Sequence, residues 1–184
     1  MTEMITTKPG MQAILGDGIA LRLLTEHDLS RTLGWRNRDA ARIQFKHAEK
    51  LMLADHKVWF ERKKNLTDAY YFIVENKDDG QAVGQVAIYN INLTNQSAEV
   101  GTFIAAPEAE GRGFMKRAIL ALMAWAFKDL KLNRVYLEVF ATNLRAIRIY
   151  ESCGFSLYGQ VGEMLLMQKM TALNMPESPA SARV

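Results

Sequence analysis

The sequence has few of the residues that would place it outside the cytoplasm. Cys153 is the only cysteine among 184 residues, so no intramolecular disulfide can form, as is usual in a reducing compartment. No apolar run approaches the roughly 18 residues that a membrane-spanning helix requires. Residues 1–10 also lack the apolar stretch of a secretion signal. We therefore expect a soluble, cytoplasmic protein without a membrane partner.

A large excess of charge is also missing. The chain has 23 basic and 20 acidic residues, a net charge of +3, which gives no reason to expect a nucleic-acid partner, so any anion should bind locally. Hydrophobic residues make up 49% of the chain, enough for one core in a protein of this length. We expect a single domain over residues 14–171, with flexible ends at residues 1–13 and 172–184.

Strand and helix patterns alternate along the chain. Residues 97–105 and 134–140 have the pattern of strands, and a helix of about eighteen residues separates them, which predicts a parallel crossover. The predicted fold is an α/β (mixed α+β) sheet of six to seven strands with helices on both faces. The predicted strands are 19–24, 70–75, 82–90, 97–105, 134–140, 155–158 and 163–170; the helices are 25–37, 53–65, 114–130 and 143–152.

A short glycine-rich turn, Gly111-Arg112-Gly113, opens the long predicted helix. The first amides of a helix have no internal acceptor and can bind a diphosphate, and the side chains of Arg112 and Lys116 would add positive charge. A turn with two glycines spaced in this way is an ordinary tight turn as often as it is a phosphate-binding turn. It is no dinucleotide fingerprint, because Lys116 stands where a third glycine would be.

A second pattern follows in the helix from Asn143 to Ser152. Asn143 suits the N-cap of that helix or a contact to a polar ligand. Tyr150 is either a core aromatic whose hydroxyl reaches water, or a general acid whose pKa near ten suits a thiolate leaving group. Either role fits the pattern of this helix alone.

Together the two patterns resemble the GCN5-related N-acetyltransferases, or GNAT superfamily. The helix pattern of that family matches in full at Asn143, Ala146, Tyr150, Gly154 and Phe155. The turn departs from the family twice, because Glu110 replaces an Arg or Gln and Met115 replaces a small residue. If Glu110 does not turn away, its charge would weaken the binding of a pyrophosphate.

The resemblance implies the GNAT fold and acetyl-CoA as the cofactor, and no metal. The strand at residues 97–105 would splay from its neighbour at a bulge, and its backbone would pair with pantetheine. The cofactor-binding residues that the resemblance implies are Phe103, Ile104, Ala105, Gly111, Arg112, Gly113, Phe114, Met115, Lys116 and Asn143.

The resemblance also implies direct attack by the acceptor amine, without an acyl-enzyme. Tyr150 would protonate the leaving thiolate, and Cys153 would be packed rather than nucleophilic. Glu99 is the candidate base, on the same face as Phe103 if no bulge intervenes, and His56 is a rival candidate.

The acceptor is predicted from the first two helices. Trp35-Arg36-Asn37 and a later His56 followed by aromatic residues resemble the enzymes that acetylate nucleotide-linked amino sugars. Arg36 and His56 would then bind the nucleotide diphosphate, although Arg36 could equally close an internal salt bridge and His56 could be exposed. The same two helices are rich in cations, which suits an anionic acceptor. These cations are Arg36, Arg38, Arg42, Lys46, Lys50, Lys57, Arg62, Lys63 and Lys64.

Other acceptors stay open. Residues 89–100 and the Tyr150 region also resemble polyamine acetyltransferases, and the enzymes that acetylate ribosomal-protein N-termini are a further alternative. A non-catalytic acyl-CoA-binding module is the alternative of another class. We expect a small-molecule amine as the partner and leave a homodimer open.

Overall fold

A computed structural model describes residues 11–171. The predicted flexible ends, 1–13 and 172–184, lie outside the described residues except for residues 11–13, so their flexibility stays a prediction. No helix within residues 11–171 is both long enough and apolar enough to cross a membrane. The same residues contain no group of three or more His, Cys, Asp or Glu side chains placed to hold a metal ion.

The fold is built on one mixed sheet of eight strands, in the order β1-β2-β3-β4-β5-β6-β8-β7. The strands are β1 Ile14–Gly16, β2 Ile19–Leu23, β3 Tyr70–Asn76, β4 Ala82–Asn92, β5 Ser97–Ala105, β6 Arg134–Phe140, β7 Ser156–Val161 and β8 Met164–Met170. The helices are α1 Leu29–Arg36, α2 Asp39–Arg42, α3 Leu53–Lys63, α4 Phe114–Lys128 and α5 Leu144–Ser152. The predicted mixed sheet with a parallel crossover is confirmed. The strand that the prediction missed is β1, three residues that pair with β2.

Helices cover both faces of the sheet, as the alternation of side chains in β3 shows. Phe72 and its neighbours of the same parity pack in the core that α4 completes, and the Phe72 ring meets Trp125 edge-on at 5.9 Å. Ile73 points the other way and packs with Leu29 of α1 and Phe60 of α3. Because successive side chains of a strand alternate, α4 and the α1–α3 pair lie on opposite faces.

The start of α1 is fixed by a buried carboxylate. Asp28 accepts hydrogen bonds from the Thr25 amide at 3.0 Å and the Thr25 hydroxyl at 2.8 Å, and both arms of Arg22 reach it. Burial opposes ionisation of Asp28, but the bonds from Arg22 and Thr25 outweigh it and hold its pKa below the usual value. Thr25 and Asp28 therefore form a capping box around the short helical turn Glu26–Asp28, which leads into α1.

Strand β5 parts from β6 halfway along its length. The two strands pair in parallel only where Ser97–Glu99 faces Arg134–Tyr136. On the other side, Thr102 and Phe103 together face one residue of β4, between the pairs Ala87–Gly101 and Gln85–Ile104, and Thr102 has a φ of +53°. This bulge shifts the alternation by one residue, so Phe103 packs with the α4 core instead of sharing a face with Glu99.

Candidate active site

The separation of β5 from β6 opens a cleft of about 1110 Å³. The second half of β5, the turn before α4, the first part of α5 and the segment around α2 form its walls. Twelve of the residues predicted from the sequence line it: Arg36, Glu99, Phe103, Ile104, Ala105, Gly111, Gly113, Phe114, Met115, Lys116, Asn143 and Tyr150. Arg112 and His56 do not line it.

The glycine turn presents bare amides to this cleft. Gly111 and Gly113 have φ values of +76° and +77°, a region that favours glycine. A Cβ at either position would meet no atom within 4 Å, so the space beside the backbone is open. The first bond of α4 runs from the Arg117 amide to the Gly113 carbonyl. Within the described chain, the three preceding amides therefore lack a backbone acceptor, and they fit a diphosphate.

Two side chains of this turn pack on the protein. The Arg112 guanidinium lies 4.9 Å from the centroid of the Phe114 ring. Arg112 does not line the cleft, although the sequence predicted its side chain there. The Met115 sulfur packs against Gly84, where a Cβ would lie only 2.6 Å from it. Gly84 therefore makes room for the large residue at 115, which departs from the usual pattern.

Glu110, the other departure, is held by two arginines. Its Oε1 accepts from Arg38 and its Oε2 from Arg145, each at 2.7 Å. Hydrogen bonds from Arg145 and then Arg38 lower the pKa of this carboxyl, so it is ionised at neutral pH. Arg38 also donates to the Ala105 carbonyl at 2.7 Å. The negative charge on the turn is therefore matched by two cations at the cleft.

Tyr150 is placed by both ends of α5. The Asn143 side chain caps the start by accepting from the Ala146 amide at 3.2 Å. The end turns at Gly154, whose φ is +87°, and the Phe155 amide returns to the Tyr150 carbonyl at 3.0 Å. These two contacts orient the whole helix, and they bring the Tyr150 side chain to the cleft wall.

The Tyr150 ring is buried between two aromatic rings, with centroids 5.5 Å from Phe103 and 6.0 Å from Phe155. Burial, and next the Cys153 side chain, raise the pKa of Tyr150 well above its ordinary value. The phenol therefore keeps its proton at neutral pH, as a general acid must. Burial also raises the pKa of Cys153, whose sulfur lies 3.8 Å from the Lys116 carbonyl, so a thiolate is disfavoured there.

Glu99 lies on the opposite face of β5 from Tyr150's neighbour Phe103. Its carboxylate accepts from the Tyr89 hydroxyl at 3.2 Å and from the Asn90 amide at 3.0 Å. A Cβ at residue 101 would lie 2.5 Å from the Tyr89 oxygen, so Gly101 leaves room for that hydroxyl. Burial, and next the charge of Glu99, raise the pKa of Tyr89. Glu99 is thus a hydrogen-bond acceptor held in a fixed position at the cleft.

A second carboxylate, Glu138, lines the same cleft and forms an ion pair with Lys46 of the segment after α2. The sequence did not single out Glu138 or Tyr89 as site residues, and it indicated Lys46 only as one of the cations of the first two helices. The alternation in β6 contained the signal for Glu138, because apolar Val135, Leu137 and Val139 leave residues 136 and 138 on the face that Glu99 shares. No pattern in the sequence pairs Lys46 with a residue so distant in the chain.

Arg36 lines the cleft but is largely engaged inside the protein. Its Nη2 donates to the His47 carbonyl, and its guanidinium lies 4.1 Å from the centroid of the Phe45 ring. The buried Nη1 has no hydrogen-bond partner among the described residues. The sequence left open an internal salt bridge of Arg36. The structure shows an internal contact of this residue, but its partner is a backbone carbonyl rather than a carboxylate.

His56 lies between α1 and α3, away from the cleft. Its Nε2 is 3.3 Å from the Thr32 hydroxyl, and its ring stacks on Trp59 at 5.0 Å. Burial, and next the charge of Arg36, lower the pKa of His56, which favours the neutral ring. The structure thus brings Glu99 and Arg36 to the cleft but not His56, and Glu99 is the better placed of the two candidate bases.

The family of the chain is shown by comparison of its sequence with known protein families. The sequence profile of a family described as "Acetyltransferase (GNAT) domain" matches residues 19–156. The chain belongs to the GNAT acetyltransferase family. Membership confirms the resemblance seen in the turn and in α5, and it implies acetyl-CoA as the co-substrate.

Individual relatives of this GNAT protein include two curated enzymes. The chain is 36% identical over 92 residues to spermidine N(1)-acetyltransferase of Vibrio cholerae, covering 50% of this chain and 52% of the relative. It is 33% identical over 92 residues to the putative ribosomal N-acetyltransferase YdaF of Bacillus subtilis, covering 50% of each. The chain thus matches about half the length of these relatives.

A solved structure of spermidine N-acetyltransferase from Vibrio cholerae, in complex with CoA and spermine, superposes with a TM-score of 0.75. The superposition covers 83% of this chain and 95% of that one, at 24% sequence identity. At that identity the likeness establishes the fold. The predicted GNAT fold is confirmed by this superposition and by the family match together.

Proposed function

We propose that the protein transfers the acetyl group of acetyl-CoA to a primary amine of a small polycationic acceptor of the polyamine class. The observation that carries this proposal is the pairing of Tyr150 and Glu99 in one cleft. A buried, protonated phenol and a fixed carboxylate approach the same space from the two faces of β5. These are the acid and the base that acetyl transfer to an ammonium requires.

The cofactor would be held mainly by backbone. The amides of Phe114, Met115 and Lys116 would bind the pyrophosphate, and the backbone of β5 beyond the bulge would pair with the pantetheine arm. An amide of the bulge at Thr102–Phe103 would polarise the thioester carbonyl. The bound acetyl-CoA supplies an activated acyl group and a thiolate leaving group.

The proton transfers would be divided between two side chains. An amine is mostly protonated at neutral pH, so Glu99 would take its proton, directly or through a water, before attack. Tyr150 would give its proton to the leaving sulfur. Burial raises the pKa of the phenol, and it also disfavours a free thiolate in the same place. The proton affinities of the Tyr150 phenolate and the CoA thiolate therefore become more similar. Cys153 has no part in these steps.

The acceptor class rests on charge and on the relatives. Glu99 and Glu138 both line the cleft, and Glu138 already holds a primary ammonium, that of Lys46. An acceptor with several ammonium groups would find carboxylate partners there. Among the relatives, the spermidine N(1)-acetyltransferase of Vibrio cholerae is 36% identical. We therefore prefer the polyamine to the nucleotide-linked sugar that the sequence favoured.

The basic helices no longer argue strongly for an anionic acceptor. At least five of their cations form ion pairs with carboxylates: Arg38 with Glu110, Arg42 with Asp39, Lys46 with Glu138, Lys57 with Glu26 and Lys64 with Glu61. The nucleotide-linked amino sugar is the second candidate, because Arg36 lines the cleft and its buried Nη1 has no hydrogen-bond partner among the described residues.

An acceptor screen tests the proposal. Release of the CoA thiol would be followed with acetyl-CoA and, in turn, spermidine, a UDP-linked amino sugar and a peptide with a ribosomal-protein N-terminus. We expect the highest kcat/KM with spermidine. A higher value with the amino sugar or the peptide would overturn the acceptor class. Tight CoA binding without thiol release for any amine would support the non-catalytic module.

A further inference from the structure

The Glu110 carboxylate occupies a position between two arginines at the cofactor end of the cleft. Its two oxygens are shared out, one to Arg38 at the start of the α2 segment and one to Arg145 in the first turn of α5. All three residues line the cleft together with the open glycine turn. A carboxylate between two guanidinium groups has the geometry in which arginines also bind a phosphate.

We propose that Glu110 stands in for a phosphate group of the coenzyme: it holds Arg38 and Arg145 in the free protein, and the coenzyme phosphate displaces it from Arg145. The proposal rests on acetyl-CoA as the co-substrate. It assigns Arg145 as a phosphate ligand and Glu110 as an internal competitor. The residue that departs from the family pattern would therefore set the affinity for the coenzyme.

The exchange is energetically accessible because both ion pairs are partly exposed. The Arg145 side chain is 62% exposed and that of Glu110 is 35% exposed, and an exposed ion pair of this kind contributes little to stability. A phosphate carries more charge than the carboxylate and can replace it at little cost. Arg38 differs from Arg145, because its bond to the Ala105 carbonyl would keep it in place after Glu110 leaves.

The test measures binding of three ligands by calorimetry: CoA, dephospho-CoA and pantetheine, which has no phosphate. With Glu110→Gln we expect CoA to bind about threefold to tenfold more tightly, and pantetheine to bind as it does to the unchanged protein. Glu108→Gln is the matched control. It removes the same charge two residues away, at an exposed position that does not line the cleft, and should leave the affinity for CoA nearly unchanged.

Arg145→Gln supplies the complementary measurement. We expect CoA to bind about threefold to tenfold more weakly, again with no change for pantetheine. Arg62→Gln on α3, away from the cleft, is the control for lost positive charge. The dephospho-CoA measurement identifies the phosphate: if the gain in Glu110→Gln persists, the pyrophosphate is the displacing group, and if the gain disappears, it is the 3′-phosphate.

Three results would overturn the proposal: weaker CoA binding in Glu110→Gln, an equal change for CoA and pantetheine, or an equal gain in Glu108→Gln. Each result would mean that Glu110 only stabilises the local structure, or that its charge affects CoA binding through non-specific electrostatics. Turnover of the unchanged protein with spermidine is measured separately, so a failure of this proposal is not confused with a failure of the proposed activity.

Discussion

The two ends of the cleft are built differently. The end that we propose for the cofactor is formed mainly by backbone: amides at the start of α4, two glycines with positive φ, and a bulged strand. The end that we propose for the acceptor is formed by side chains that different elements contribute, among them Tyr89, Glu99 and Glu138. A backbone site needs consecutive residues of particular kinds and therefore leaves a motif in the sequence. A side-chain site is assembled only by the fold, and it leaves none.

The largest effect is expected where the two ends meet, at Tyr150. Tyr150→Phe keeps the ring between Phe103 and Phe155 but removes the proton, so kcat should fall at least about tenfold, on the order of 1.4 kcal/mol, while the affinity for CoA is retained. Steady-state kinetics with spermidine and calorimetry with CoA make the comparison. Unchanged kcat would remove Tyr150 from the mechanism.

The acceptor end should divide into a base and an ammonium site. Glu99→Gln should lower kcat about tenfold, and the loss should shrink at high pH, where the amine is already deprotonated. Glu138→Gln should instead raise KM for spermidine and leave kcat largely unchanged. A pH series of kcat and KM on both variants checks this. The same change in both variants would contradict the division.

The cofactor end should respond to the shape of its backbone. Gly113→Ala forces an alanine to a φ of +77°, which should cost about 1 kcal/mol of unfolding free energy and weaken CoA binding about fivefold through the loss of the turn's geometry. Gly80→Ala is the matched control, with a φ of +70°, equally open surroundings and a place outside the cleft. It should lose similar stability and no affinity for CoA; equal losses of affinity would contradict a backbone cradle.

The smallest effect on catalysis is expected at His56, which lies outside the cleft. The folded-state pKa of His56 is lowered, so below the unfolded value of about 6.5 the unfolded chain binds a proton that the folded one resists. Stability is then full above that pH and decreases as the pH falls towards the folded value.

Thermal unfolding of His56→Gln between about pH 7 and pH 5 should therefore show a weaker pH dependence of stability than that of the unchanged protein. His27→Gln, at an exposed position, is the control. KM for spermidine should not change. A large rise in KM would return His56 to the acceptor site.

Much of the fold could be predicted because the strands alternate clearly: the bounds predicted for β5 and β6 match the structure. β1 was missed because three residues are too few to show a period. Glu99 and Phe103 were expected to share a face only if no bulge intervened, and the extra residue at Thr102 reverses the alternation between them. The resemblance implied a bulge in this strand, but no side-chain pattern marks its position.

The site divides in the same way. The glycine turn and α5 were predictable from local motifs, whereas the partners of Glu110 lie 72 and 35 residues away in the chain. The basic helices suggested an anionic acceptor because composition counts charges without showing which of them are paired. The Arg112 side chain was expected to add positive charge at the cleft, but its guanidinium packs on a neighbouring ring.

Direct acetyl transfer to a polyamine is tested most simply by mass spectrometry. The protein would be incubated with acetyl-CoA, with and without spermidine, and the masses of both the protein and the small molecules would be measured. We predict that spermidine gains an acetyl group and that the protein carries none under either condition. An acetyl group retained on the protein, or unmodified spermidine beside an acetylated nucleotide-linked amino sugar in a parallel reaction, would contradict the account.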